Sequence, residues 1–420
     1  MKVFKFGGAS VKSAEAVRNV AEILSLYNSE KIMVVISAMA KTTNALENLL
    51  KTFIENSSQK IEIFNEIKQF HIDVLNKLIP ATDKEAFIKL NKHFDNLERI
   101  INSETTAKKS EYYAEIVGFG ELFSTHIVYS YLKNKSFSCD WKKATDYIIT
   151  DDNIGEANVK WEIITRKISE ELKPCFNNNN IIISQGFISK SENGKPTTLG
   201  REGSDYSAAI FAYGLDAEDI TIWKDVPGLL NADPKYFENT QRIGTISYKE
   251  TIELAYYGAS IIHPKTIQPL QNKKIPLYIK SFLNPTYEGT TIQFRTYSDS
   301  LIPSFIFKKE QVLISISASD FSFIAEQNLS NIFQLISKFG LKTNMMQNSA
   351  ISFSIIMDNK GPAMLDFIAE LQKEFKVRYN EHLELITIRN YNQQIINDLI
   401  GSRKVYLEQK NRTTVQLLVK

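Results

Sequence analysis

Five short stretches of the 420-residue chain carry side chains able to act on phosphate or carboxylate groups. The first is Lys5-Phe6-Gly7-Gly8-Ala9-Ser10, which follows a strand-like run and precedes a helix. Glycines at such a turn let backbone N–H groups approach phosphate oxygens, and Ser10 or Ser13 can cap a helix whose N terminus attracts an anion. Lys5 adds a mobile positive charge. Taken alone, the stretch is equally a tight strand-to-helix turn with a solvated lysine. The second, TTLGREGSDYSAA at 197–209, sets Arg201, Ser204 and Asp205 just before an apolar helix. Arg201 can grip a carboxylate with two parallel hydrogen bonds. Asp205 is poorly suited to touch phosphate and well suited to hold a lysine. A capped helix start with a surface Arg–Asp pair accounts for Asp205, but not for so many Gly, Ser and Thr residues in so short a space.

The third stretch, IWKDVPGLLNADPK at 222–235, is a strand, a Val-Pro-Gly turn and a charged loop. Asp225 could stand near a metal or ribose, with Lys224 or Lys235 on phosphates; a proline-bearing surface loop explains the same residues. In GASIIHPKTI (258–267) a lone His263 before a proline reads first as structural. In GFGELFST (118–125) Glu121 begins a helix, where the helix dipole alone accounts for a carboxylate. No G-x-x-x-x-G-K-[ST], no H-R-D with D-F-G, and no G-x-G-x-x-G after the first strand occurs. A phosphate-handling site must then be assembled from several separated glycine loops.

The elements that would hold these loops alternate. Residues 2–6, 14–27 and 31–37 form a β-α-β unit whose second strand, IMVVIS, is apolar throughout, as expected when helices cover both sheet faces. Residues 44–101 change to consecutive helices. Alternation resumes with a helix near 115–133, strands at 181–184, 219–223 and 275–279, and helices after Ser204 and at 248–257. This predicts an α/β domain over 1–295 with a helical insertion acting as part of a lid. The remainder, 296–420, reads as two small α+β sandwiches. The first spans about 309–382 in β-α-β-β-α-β order, and the second, 383–420, is shortened unless residues 304–308 lend it a strand.

Composition supports an ordinary globular chain: 43% hydrophobic residues and a formal charge of +2, which gives no reason to expect nucleic acid or an anionic membrane as partner. Two cysteines, Cys139 and Cys175, and five scattered histidines argue against a disulfide framework or a zinc site. With no basic leader and no run approaching about 18 apolar residues, a cytoplasmic, soluble protein is expected.

KFGGAS, ISAMAKTTN (36–44), GELFST, TTLGREGSDYSA, the DVPG turn with ADP after it, and GASIIHP occur in the order and approximate spacing of the aspartate kinases. The chain thus resembles that family, with its three-layer amino-acid kinase fold and C-terminal ACT regulatory domains. The resemblance implies ATP and Mg²⁺ as cofactors. It implies phosphorylation of the β-carboxylate of L-aspartate to 4-phospho-L-aspartate, the first step toward lysine, threonine and methionine. Carried over residue by residue, it implies that Lys5 stabilises the transferring phosphoryl group and Asp205 orients Lys5. Arg201 would take the substrate α-carboxylate and Glu121 its ammonium, with Ser37, Thr43 and Ser204 completing the substrate contacts. Gly7, Gly8, Lys224, Asp225, Leu230, Lys235 and Ser260 would face the nucleotide, and no protein metal ligand is assigned.

The chain departs from the family pattern at several positions. Ala9 stands where threonine is common, with Ser10 as the neighbouring hydroxyl that could replace it. Lys224 replaces a threonine, Leu230 a tyrosine and Ser260 a lysine, so Lys224 could restore the charge lost at 260. Asn344 stands at an acidic position of lysine-binding members, which weakens the expectation of lysine inhibition. A homodimer through the C-terminal region is expected. Two competing readings are a related acyl-phosphate-forming kinase and a catalytically silent amino-acid sensor.

Overall fold

The computed structural model describes residues 1–80, 82–104, 109–237, 239–259, 262–296, 302–318, 324 and 326–420. Strands β1 (Lys2–Phe6), β2 (Ile32–Ile36) and β3 (Cys139–Trp141) are followed by β4 (Ile149–Thr150), β5 (Ile181–Gln185), β6 (Ile188–Ser191) and β7 (Pro196–Thr198). Next come β8 (Asp219–Lys224), β9 (Thr245–Ser247), β10 (Leu277–Ser281) and β11 (Thr290–Gln293). Eight of these form one sheet in the order β3-β5-β2-β1-β8-β10-β11-β9, and β4, β6 and β7 form a second, small one. Pairing from β3 to β10 is parallel throughout. Every residue of β2 is buried, as its unbroken apolar run requires.

The register sets three strand ends side by side: Phe6 pairs with Ile36 on one flank and with Trp223 on the other. The turns that follow β1, β2 and β8 therefore emerge at one edge of the sheet, where open α/β sheets bind ligands.

Helix α1 (Ala14–Ser25) joins β1 to β2, and α2 (Thr42–Ile54), α3 (Gln59–Leu78), α4 (Lys84–Ile101), α5 (Lys109–Val117) and α6 (Phe119–Asn134) follow between β2 and β3. The inserted helices α2 to α4 share a single core with α1 and α6, where the rings of Phe94 and Phe123 lie 4.3 Å apart. Helices α7 (Trp161–Lys167), α8 (Gly203–Leu215), α9 (Tyr248–Tyr257) and α10 (Pro264–Lys273) follow. Helix α8 is apolar on nearly all sides and buried accordingly.

Two compact units result, and they do not follow a single cut at 295. The first comprises 1–229, 242–252 and 261–297; the second adds the short segments 230–241 and 253–260 to 298–420. The reason for the first excursion lies in local bonding within the second unit. Phe305 N–H donates to the Asn231 carbonyl at 2.7 Å, Asn231 Nδ2 donates to the Pro303 carbonyl, and the Phe237 and Phe305 rings stack at 4.8 Å.

The second unit contains β12 (Ser304–Ser317), β13 (Thr343–Asn348), β14 (Ser352–Asp358), β15 (Lys376–Arg389), β16 (Val405–Lys410) and β17 (Thr414–Val419). With them run helices α11 (Glu326–Lys338), α12 (Pro362–Leu371) and α13 (Gln393–Ile400). The six strands make one antiparallel sheet, β13-β14-β12-β15-β17-β16. Both long strands serve two sandwiches. Ser317 to Leu313 pair with Lys376 to Asn380 in the first, and Ser304 to Lys308 pair with Arg389 to Leu385 in the second. Between these stretches the register shifts, and Glu310 and His382 adopt positive φ. Helices α11 and α12 cover the first sandwich with Ile332, Ile336, Phe367 and Leu371, while α13 covers the second with Ile396.

Candidate active site

Lys5 is the fourth residue of β1, and its Nζ lies 2.6 Å from Asp205 Oδ1. Asp205 sits in the first turn of α8, buried, at the end of a loop that turns through Gly200 and Glu202, both at positive φ. A glycine is needed at 200: a Cβ there would lie 2.8 Å from Cγ of Glu156. The surface Arg–Asp pair that the sequence also allowed is absent, because Asp205 points inward to Lys5 while Arg201 remains exposed on the turn. Among the described residues the Arg201 guanidinium has no hydrogen-bond or ion-pair partner.

Glu121 opens α6 but is buried beneath the loop that follows β2. Gly120 makes this approach possible, since a Cβ there would lie 2.8 Å from that of Ala38. Ala38 N–H then donates to Glu121 Oε1 at 3.3 Å, and the second oxygen, Oε2, has no protein partner among the described residues. Burial pushes the carboxyl up to about 8, against the lowering pull of the Ala38 N–H and of Lys5. A helix-dipole role would have left it exposed and acidic, so the tertiary surroundings, not the helix start, define this group.

These side chains converge. A cavity of about 970 Å³ is lined by Lys5, Ser37, Thr43, Glu121, Arg201, Ser204 and Asp205, which come from four separated motifs. Tyr113, Glu156, Phe187 and Glu202 also line it, and motif reasoning had passed over them. Tyr113 Oη donates to Glu47 at 2.9 Å, and burial pushes its phenol up to about 12. Phe187 stands at positive φ just after β5, its N–H donating to Ser207 Oγ at 2.9 Å. The Gly186-Phe187 pair closing an apolar strand was the available signal for that wall; Tyr113 and Glu156 had none.

The remaining candidates lie at other places. Gly7 and Gly8 follow β1 directly, and a Cβ on Gly8 would come within 2.8 Å of the Ala38 carbonyl oxygen, so backbone is tightly packed against backbone there. Lys224 ends β8 beside them in the sheet, and Asp225 is exposed on the next turn. Leu230 and Lys235 belong to the segment bonded within the second unit, and Ser260 lies outside the described residues. Ser13 caps α1 by accepting from Ala16 N–H, whereas Ser10 is buried and donates to the Trp223 carbonyl at 3.3 Å. Ser10 therefore does not replace a hydroxyl at position 9. His263 caps α10 by accepting at Nδ1 from Lys265 N–H, and its backbone N–H donates to Glu202 Oε2 at 2.8 Å, while the Lys265 side chain pairs with Glu156. The His-Pro turn thus holds two acidic residues of the cavity rim.

Residues 1–281 match the amino acid kinase family. This chain belongs to the amino acid kinase family. Relatives of this amino acid kinase include the lysine-sensitive aspartokinase 3 of Escherichia coli, 27% identical over 398 residues, covering 92% of this chain and 86% of that protein. The chloroplastic aspartokinase 3 of Arabidopsis thaliana is 31% identical over 373 residues, covering 85% of this chain and 64% of its own length. In fold, the chain is similar to E. coli aspartokinase III crystallised with lysine and aspartate, at a TM-score of 0.86 and 24% identity over 100% of this chain and 96% of that one. The same enzyme crystallised with aspartate and ADP gives a TM-score of 0.81. The α/β kinase fold with C-terminal ACT-like sandwiches is thereby established.

Proposed function

We infer that the protein is an aspartate kinase, transferring the γ-phosphoryl group of ATP to the β-carboxylate of L-aspartate to give 4-phospho-L-aspartate and ADP. The observation that carries this reading is one cavity wall on which a paired lysine, a free guanidinium and a buried carboxyl meet. The aspartokinase relatives support the same reading. Its product is the entry compound to lysine, threonine and methionine.

Arg201 takes the α-carboxylate in a two-bond grip, and Glu121 takes the ammonium through its unpartnered Oε2. Ser37, Thr43 and Ser204 complete the cradle. The β-carboxylate of aspartate is ionised at neutral pH, so no strong base is required. The difficulty is to bring two anions together. Lys5 meets it by supplying positive charge that the transition state uses more than the ground state does. Asp205 keeps that charge aimed. Gly7 and Gly8 offer backbone N–H groups to the phosphates, with Lys224 adding charge and Asp225 completing the nucleotide side. No group of three His, Cys, Asp or Glu side chains suited to a metal is found among the described residues. Mg²⁺ would be held by nucleotide phosphates and water, where it would neutralise charge on them.

A homodimer through the C-terminal sheet belongs to this proposal, supported by its two edge strands, β13 and β16; a monomeric mass at micromolar concentration rejects it. A cytoplasmic location also belongs to this proposal. No helix among the described residues is long and apolar enough to cross a membrane. The central test traps acyl phosphate as hydroxamate with aspartate, glutamate or no acceptor. Aspartate-dependent product is expected; glutamate preference, or binding of aspartate without product, overturns the assignment.

A further inference from the structure

Two adjacent hydroxyls on α6 lie behind the cavity wall and are not themselves among the residues that line it. Ser124 and Thr125 are fully buried. Ser124 Oγ donates to the Ser37 carbonyl at 2.7 Å and shares its proton with the Glu121 carbonyl at 3.2 Å. Thr125 Oγ1 donates to the Glu121 carbonyl at 2.7 Å and accepts from Trp141 Nε1 and Gln185 Nε2, each at 3.1 Å. A hydroxyl has one proton and two lone pairs, so Thr125 is saturated. Gln185, the last residue of β5, is fixed in turn by Ala144 N–H, which donates to its Oε1 at 2.8 Å.

We propose that Ser124 and Thr125 are positioning residues for aspartate recognition: their hydroxyls lock the turn carrying Glu121 to the Ser37 loop and to the end of β5. This rests on the aspartate kinase reading above. The Ala38 N–H to Glu121 Oε1 bond is long at 3.3 Å and cannot alone fix the carboxyl. The two hydroxyls hold the backbone beneath it instead. Both bind the Glu121 carbonyl, and each ties that same turn to a different strand end. A buried polar network satisfied in this way admits one geometry, and misplacing an ionic contact by a fraction of an ångström weakens it greatly.

The experiment compares Ser124→Ala, Thr125→Val and Thr125→Ser with the native protein, in steady-state assays and in calorimetric titration with L-aspartate alone. Ser124→Ala and Thr125→Val are expected to weaken aspartate binding and raise its KM about tenfold. The KM for ATP should stay within about twofold, and Thr125→Ser should return near native values because it keeps the hydroxyl. Thr125→Val strands two buried donors; if it does not fold, Ser124→Ala decides alone. Native aspartate affinity in Ser124→Ala overturns the proposal, as does an equal rise in both KM values with a lowered Tm. Absence of aspartate binding by the native protein overturns the functional reading itself, and this proposal with it.

Discussion

Replacing Glu121 by glutamine tests the least ordinary group in the cavity. The carboxyl stands at about 8 rather than 4.5 because it is desolvated, so ionising it in the empty site costs roughly 5 kcal/mol relative to a solvated glutamate. At pH 7 only about one molecule in ten then carries the charge. An ammonium group needs that charge. Free aspartate keeps its ammonium and both carboxylates charged from pH 6 to 8.5, so a proton must leave Glu121 when it binds. The KM for aspartate should therefore be nearly flat above pH 8 and rise about tenfold per unit below it, roughly 80-fold in all between pH 8.5 and 6. In Glu121→Gln the pH dependence disappears, and binding at pH 8.5 is weaker than native. Stability moves in the opposite sense. A raised folded value means the native state holds a proton that the unfolded chain has lost between pH 4.5 and 8. The protonated carboxyl's advantage is complete below 4.5 and is lost as pH rises through 8. Without aspartate, the glutamine variant should consequently unfold at higher urea than the native protein at pH 8.5. Calorimetry in buffers of different ionisation enthalpy should record about 0.9 proton released per aspartate bound at pH 7. A native KM that is flat from pH 6 to 8.5, or a slope that survives in Glu121→Gln, refutes the reasoning.

Three further outcomes are expected. Asp205→Asn removes the charge 2.6 Å from Lys5 Nζ and should lower kcat about a hundredfold, with the KM for aspartate changed less than threefold, as hydroxamate assays can measure. Lys224→Ala should raise the KM for ATP several-fold more than that for aspartate; equal effects reject its assignment to the nucleotide side. His71 is wholly buried and held at about 4 by desolvation, while the unfolded imidazole titrates near 6.5. The unfolded state takes up the extra proton between those values, so stability is complete above pH 6.5 and falls toward 4. This one group should cost about 2 kcal/mol between pH 7.5 and 5 in urea titrations, a loss that His71→Gln should not show.

Much of this was legible in the residues. Apolar runs such as IMVVIS, and helices with faces such as Leu46, Leu49, Leu50 and Phe53, announce themselves by period. Motif residues 5, 37, 121, 201 and 205 share one cavity because each lies close to a strand end or a helix start, positions that glycine and serine mark in sequence. The small sheet of β4, β6 and β7 escaped notice because strands of two to four residues carry too little alternation to register. The 230–241 segment looked like part of the first domain, since nothing in its composition records the bonding of Asn231 to Phe305. The place of Ser10 is hidden for a related reason: whether a hydroxyl faces solvent or the Trp223 carbonyl depends on the neighbouring strand. The state of Glu121 was equally hidden, because it arises from Ala38 and the loop above it.

The strands that serve two sandwiches also set an order of events during synthesis. Ser304 to Lys308 leave the ribosome early, yet their partners, Leu385 to Arg389, follow after a separation of about 80 residues. Until then the early half of β12 is an open edge beside an unfinished sandwich. A chain halted before residue 383 would keep its first sandwich's strands and still carry that edge unpaired. The C-terminal sheet is therefore complete only once β17 has been made and pairs with β15, and aggregation of chains halted before residue 383 is the natural sign of it.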